Sequence, residues 1–178
     1  MIEPAPSEPT ELVDVFYAPF VRPLGNLVIL VAQAEATWLK LVGALTGCTE
    51  REAQCFLQKN AAAAKQEIMR FAKTAVIEPY ELEELCRSIE TFYGDRERRN
   101  RLYHDEWYVS LLETPGVPAT RGFQRRDGAV VWGESTPSDV WELARRFHEY
   151  KRLFSGVVYV LQKQKSTESS PDDLPDRC

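Results

Sequence analysis

The sequence predicts an all-α protein: an up-and-down helical bundle with a small β-hairpin inserted before the last helix. Apolar residues recur at three- and four-residue steps through most of the chain, the spacing that lines one face of a helix. Thr49 and Thr136 each stand three residues before an acid, the pattern of a helix start. From Pro115 to Ser135 the helical period stops, and Asp127-Gly128 there separates two runs that suit β-strands.

Composition narrows the functional classes. At 178 residues, with 44% hydrophobic and 28% charged side chains, the chain suits one globular domain with a real core. A net charge of −5 speaks against a general nucleic-acid coat protein, though it leaves room for a local basic cleft. The opening "MIEPAPSEPTE" has no basic n-region, so no secretory leader is expected. The most apolar stretch, Pro23 to Ala34, runs about a dozen residues before Glu35, against the roughly 20 that a membrane span needs. No membrane span and a cytoplasmic location are the expectations. Cys48, Cys55, Cys86 and Cys178 form no C-x-x-C pair, so neither a metal nor another cofactor is expected.

The elements follow in order. Residues 1–17, rich in proline and acids, are expected to be a flexible arm. Residues 18–164 form the helical domain. Its first helix runs from about Pro23 to Leu45 on Leu27, Leu30, Val31, Ala34, Trp38, Leu41, Val42 and Leu45, with Gly47 at the C-terminal cap. Thr49-Glu50-Arg51-Glu52 reads as a capping box that opens a short helix to about Gln58. A further helix begins near Asn60, where "AAAAKQEIMRFAK" favours helix throughout. Glu78-Pro79 opens the longest pattern, carried by Leu82, Leu85, Ile89, Phe92 and Tyr93 and on through Leu102, Tyr103, Trp107 and Leu111, with Gly94 as a weak point. After the hairpin, Thr136-Pro137-Ser138-Asp139 restarts helix to about Gln164. Residues 165–178 lack apolar periodicity and are expected to be a disordered tail.

The chemistry concentrates in "RRNRLYHDEW", residues 98–107, which holds one of only two histidines. Asn100 and His104 are four apart and share a helix face. Arg99 and His104 are five apart, about 140° around the axis, so one helix does not bring them together. Two copies packed antiparallel across a two-fold axis would place both around one cleft. There, an imidazole takes a proton from an attacking 2′-hydroxyl or gives one to the leaving 5′-oxygen. A guanidinium stabilises the crowded phosphorus, and no metal is required. Arg98 and Arg101 flank the motif, and Arg121, Arg125 and Arg126 on the hairpin form a second basic patch that suits RNA phosphates or simply keeps a small edge ribbon soluble. Charge and spacing alone favour a solvated helix face, with Glu97–Arg101 and Arg101–Asp105 as i,i+4 ion pairs. His148, beside Arg145, Arg146, Lys151 and Arg152, reads as an exposed helix histidine.

The phrase "RNRLYHDEW", late in a long helix and ahead of a hairpin and a capped last helix, resembles the HEPN superfamily of α-helical proteins. That resemblance implies a metal-independent endoribonuclease in which Arg99 and His104 are catalytic and Asn100 is their polar neighbour. It also implies a homodimer, an RNA substrate, and a role as a toxin or in antiphage or stress response. A minimal nucleotidyltransferase antitoxin is the partner it suggests. Relatives silenced by adenylylation carry a tyrosine two residues after the histidine; Glu106 stands there, so that regulation is not expected. A non-catalytic helical module that binds a protein or nucleotide is the alternative.

Overall fold

A computed structural model describes the backbone of residues 17–59, 61–104, 106–109, 118–123 and 130–168, and the side chains of residues 17–57, 63–104 and 135–167. Every element with described side chains is a helix, and the architecture is a helical bundle. The helices are α1 (Ala18–Thr46), α2 (Glu50–Lys59), α3 (Ala61–Thr74), α4 (Pro79–His104) and α5 (Pro137–Glu168).

The helix ends obey local chemistry. Gly47 adopts φ 74° and its N–H donates to the Gly43 carbonyl at 2.9 Å, which closes α1 in the left-handed conformation open to glycine. The capping box at Thr49 forms as expected: the Thr49 N–H donates to Glu52 Oε2 at 2.8 Å, and the Glu52 N–H donates to Thr49 Oγ1 at 3.3 Å. The same exchange opens α5, with Thr136 N–H to Asp139 Oδ2 at 2.8 Å and Asp139 N–H to Thr136 Oγ1 at 3.1 Å.

Three boundaries differ from expectation. α1 starts at Ala18, because Pro19 takes the first-turn place expected of Pro23, and Pro23 then lies inside the helix. α4 stops at His104 and does not continue through Trp107 and Leu111. The run Trp107-Tyr108-Val109 is aromatic and β-branched, which suits extended backbone better than helix. α5 reaches Glu168, four residues past the expected end at Gln164, with Lys165 Nζ donating to the Ala44 carbonyl at 3.2 Å.

Between α4 and α5, backbone pairing joins β1 (Glu106–Val109), β2 (Pro118–Phe123) and β3 (Val130–Glu134) antiparallel, in the order β1-β2-β3. Arg121 lies opposite Glu106 on one side and Trp132 on the other. The expected Asp127-Gly128 turn, the side chains of residues 105–134, the arm of residues 1–16 and residues 169–178 lie outside the described residues.

The chain divides into two compact units. The first comprises Met1–Ala32 and Phe92–His148, the second Gln33–Thr91 and Glu149–Cys178. In the first, Phe20, Leu27 and Val31 of α1, Phe92 and Leu102 of α4, and Val140, Leu143 and Phe147 of α5 are buried. The Phe92 and Phe147 rings meet edge-on at 5.8 Å. In the second unit Trp38 packs on Phe154 at 5.3 Å, and Tyr150 stacks on Phe154 at 6.1 Å. Lys151 Nζ donates to Gln33 Oε1 at 2.9 Å there.

By length and composition α1 is apolar enough to cross a membrane, with an 18-residue window of mean hydropathy 1.5. This exceeds the dozen-residue stretch noted in the sequence, since it tolerates a few charges. One face of α1 (Leu27, Val31, Ala34, Trp38, Leu41) is nonetheless buried against protein, as a core helix requires.

Candidate functional site

The candidate residues lie on the last turns of α4, in the first unit. The helix begins with Pro79 and with Leu82 N–H donating to the Glu78 carbonyl at 2.9 Å, then buries Leu85, Ile89 and Phe92 at steps of four and three. That stripe continues to Asp95, Arg99 and Leu102. Two polar residues therefore occupy positions where the period calls for apolar ones.

Arg99 is half-buried, and its guanidinium carbon stands 5.6 Å from the Tyr103 ring centroid, one turn on. Asn100 and His104 are exposed on the other side of the helix. The structure thus keeps Asn100 and His104 on one accessible face and sets Arg99 on the half-buried one, as the 140° separation required.

Arg98 is exposed and reaches across to α5, where its Nη2 is 3.7 Å from Asp139 Oδ1. The Asp139 carboxyl is held below its usual range, first by the Thr136 hydroxyl, then by the Thr136 N–H, with a smaller contribution from Arg98. Arg98 is thereby half engaged by a helix cap. Arg101 meets Glu97 at 3.5 Å, the expected i,i+4 pair, and both are exposed. The side chains of Arg121, Arg125 and Arg126, and of Asp105, are outside the described residues.

Sequence reading missed two arrangements. The first is Asp95: only 5% exposed, its Oδ2 forms an ion pair with Arg146 Nη2 of α5 at 2.9 Å. The signal was present, since position 95 falls on the buried stripe. Burial also pushes the nearby Tyr93 hydroxyl up from its ordinary range, against the opposing charge of Arg96. The second is the Arg22 guanidinium of α1, which stands 6.0 Å above the ring of Trp141, itself 42% exposed. His148 is exposed, as read.

Elsewhere in this unit α1 presents Val21, Val28 and Ile29 to solvent, each more than half exposed. Tyr17, Phe20, Val21 and Leu24 line an apolar groove of about 320 Å³ at its start. Among the described residues no group of three or more His, Cys, Asp or Glu is placed to hold a metal ion.

Comparison with protein-family models, with curated proteins and with solved structures finds no match.

Proposed function

We propose that this chain is a metal-independent endoribonuclease of HEPN type that acts as a homodimer, with Arg99 and His104 as catalytic residues and Asn100 as their polar neighbour. The observation that carries the reading is the motif Arg99-Asn100…His104 at the end of α4, with His104 accessible. An exposed imidazole can exchange a proton with RNA, and the Arg99 guanidinium of the second copy in a dimer can hold the phosphate. Arg98 and Arg101 beside it, and Arg121, Arg125 and Arg126 on an inserted β-hairpin, supply phosphate contacts. All four arginines from Arg96 to Arg101 adjoin a carboxylate or an aromatic ring, so they are oriented as well as charged. A cytoplasmic toxin, antiphage or stress-response role, with a minimal nucleotidyltransferase as antitoxin, is the setting that the resemblance supports.

The test compares wild type with His104→Ala and Arg99→Ala, scoring RNA integrity and growth. Each variant should lose cleavage while its helical circular dichroism stays intact. Full activity in both would remove the reading.

A second reading, a non-catalytic module for a protein partner, is favoured by the exposed apolar face of α1 at Val21, Val28 and Ile29. It expects no cleavage by wild type, and loss of partner binding in Val28→Asp with Ile29→Asp.

A further inference from the structure

The outer face of α1 is symmetric about Gly25. Seven residues to either side stand Ala18 and Ala32, and four residues to either side stand Val21 and Ile29; all five are exposed. At 3.6 residues per turn they lie within about 40° of one line, a strip about 21 Å long. The strip belongs wholly to the first unit. Three residues to either side of Gly25, Arg22 and Val28 form its exposed rim. Arg22 is the only charged residue from Ala18 to Ala32, and its guanidinium carbon lies 6.0 Å from the ring centroid of Trp141.

Glycine weakens a helix interior relative to alanine, because more backbone freedom is lost on folding. A Cβ on Gly25 would meet no atom within 4 Å, so packing within the chain does not require the glycine. A glycine with alanines seven residues away on both sides does let a second helix approach closely, to about 8 Å between axes. Val21 and Ile29, each more than half exposed, would then leave water.

The partner that matches this face is the face itself. An antiparallel pair with its two-fold axis at Gly25 sets Gly25 against Gly25, Val21 against Ile29, and Ala18 against Ala32. Arg22 meets Val28 and not the second Arg22. Small residues oppose small ones, branched oppose branched, no carboxylate is buried and no like charges meet head-on. An isologous interface demands such a self-match, whereas an unrelated protein or a lipid surface demands none. We infer that the outer face of α1 is a homotypic interface, on which two copies of this chain pack antiparallel about Gly25. This deepens the homodimer part of the proposed function and rests on that part alone; neither Arg99 nor His104 enters it.

A strip one helix wide is smaller than the roughly 800 Å² per partner of a standard interface, so the dimer should dissociate on dilution. Sedimentation equilibrium of the full chain should give a mass that rises with concentration toward two chains. Gly25→Leu puts a side chain where the second backbone comes, and should raise the dissociation constant at least about tenfold. The open space around its own Cβ should leave the far-UV circular dichroism unchanged. Val76→Asp, at an exposed valine of the second unit, should leave the dissociation constant as it was. Under mild oxidation Gly25→Cys should give more covalent dimer than wild type or Val76→Cys, since the two Cα atoms at the axis lie within disulfide reach. A dimer that persists in Gly25→Leu at the wild-type dissociation constant overturns the inference and leaves the homodimer reading standing. Cross-linking of Gly25→Cys no greater than that of wild type overturns it as well, and decides the matter even if Gly25→Leu does not fold. A wild type that stays a single chain at every concentration overturns it together with the homodimer, and leaves the face to another protein or a lipid surface. RNA cleavage by that single chain would still decide the nuclease chemistry separately.

Discussion

At the scale of single residues, burial and close approach set the largest effects. Phe147 is fully buried against Phe92, so Phe147→Ala should cost about 3–5 kcal/mol, read as a lower urea midpoint with an unchanged slope. Two glycines in helices should respond in opposite directions. A Cβ at Gly94 meets nothing within 4 Å, so Gly94→Ala should stabilise by about 0.5–1 kcal/mol. A Cβ at Gly43 would lie 2.8 Å from the Cys48 carbonyl oxygen, a backbone atom that cannot step aside. Gly43→Ala should therefore lower the melting temperature. Arg98 contrasts with these, because its partner is about half exposed at 3.7 Å. Removing it should change stability by under about 1 kcal/mol, so a loss of RNA cleavage in Arg98→Ala would report on substrate contact and not on folding.

Among elements, the start of α5 is the most sharply specified. Thr136 and Asp139 satisfy each other's N–H groups, and the bonds lower the affinity of the Asp139 carboxyl for protons. A carboxyl that binds protons more weakly when folded contributes stability above the ordinary aspartate range. That contribution is lost as pH falls through the range toward the lowered value. Thr136→Ala should thus destabilise by about 1 kcal/mol near neutral pH, and the gap from wild type should narrow below about pH 4. A gap that stays constant from pH 7 to pH 3 would show that the carboxylate is not part of the cap. Thr49 with Glu52 repeats the arrangement at α2, where the same hydrogen bonds lower the glutamate.

For the whole molecule the testable matter is whether two chains build one site. Arg99 and His104 diverge around α4, so a composite site would take the arginine from one protomer and the histidine from the other. Mixing inactive Arg99→Ala with inactive His104→Ala should then restore activity to about one quarter of wild type, since half of the dimers are mixed and each holds one intact site. Failure of the mixture to cleave, with exchange of chains verified, would exclude that geometry.

What the sequence determined by itself was local. Period, caps and turn residues specify contacts within a few residues, and so the helix starts at Glu50 and Pro137 and the stop at Gly47 could be read directly. The motif residues could be read too, and so could the angle that separates Arg99 from His104. The tertiary structure decided which positions on those helices meet. Asp95 looked like one more charge in a charged run until α5 brought Arg146 to it, and the approach of Arg22 to the Trp141 ring likewise joins helices far apart in sequence. The end of α4 at His104 belongs with them, since its apolar spacing continues to Trp107 while the backbone turns extended. For the contacts the deciding partner lies outside the few residues that a helical period covers, whereas at the end of α4 the β-propensity of Trp107-Tyr108-Val109 overrides a helical spacing that still continues.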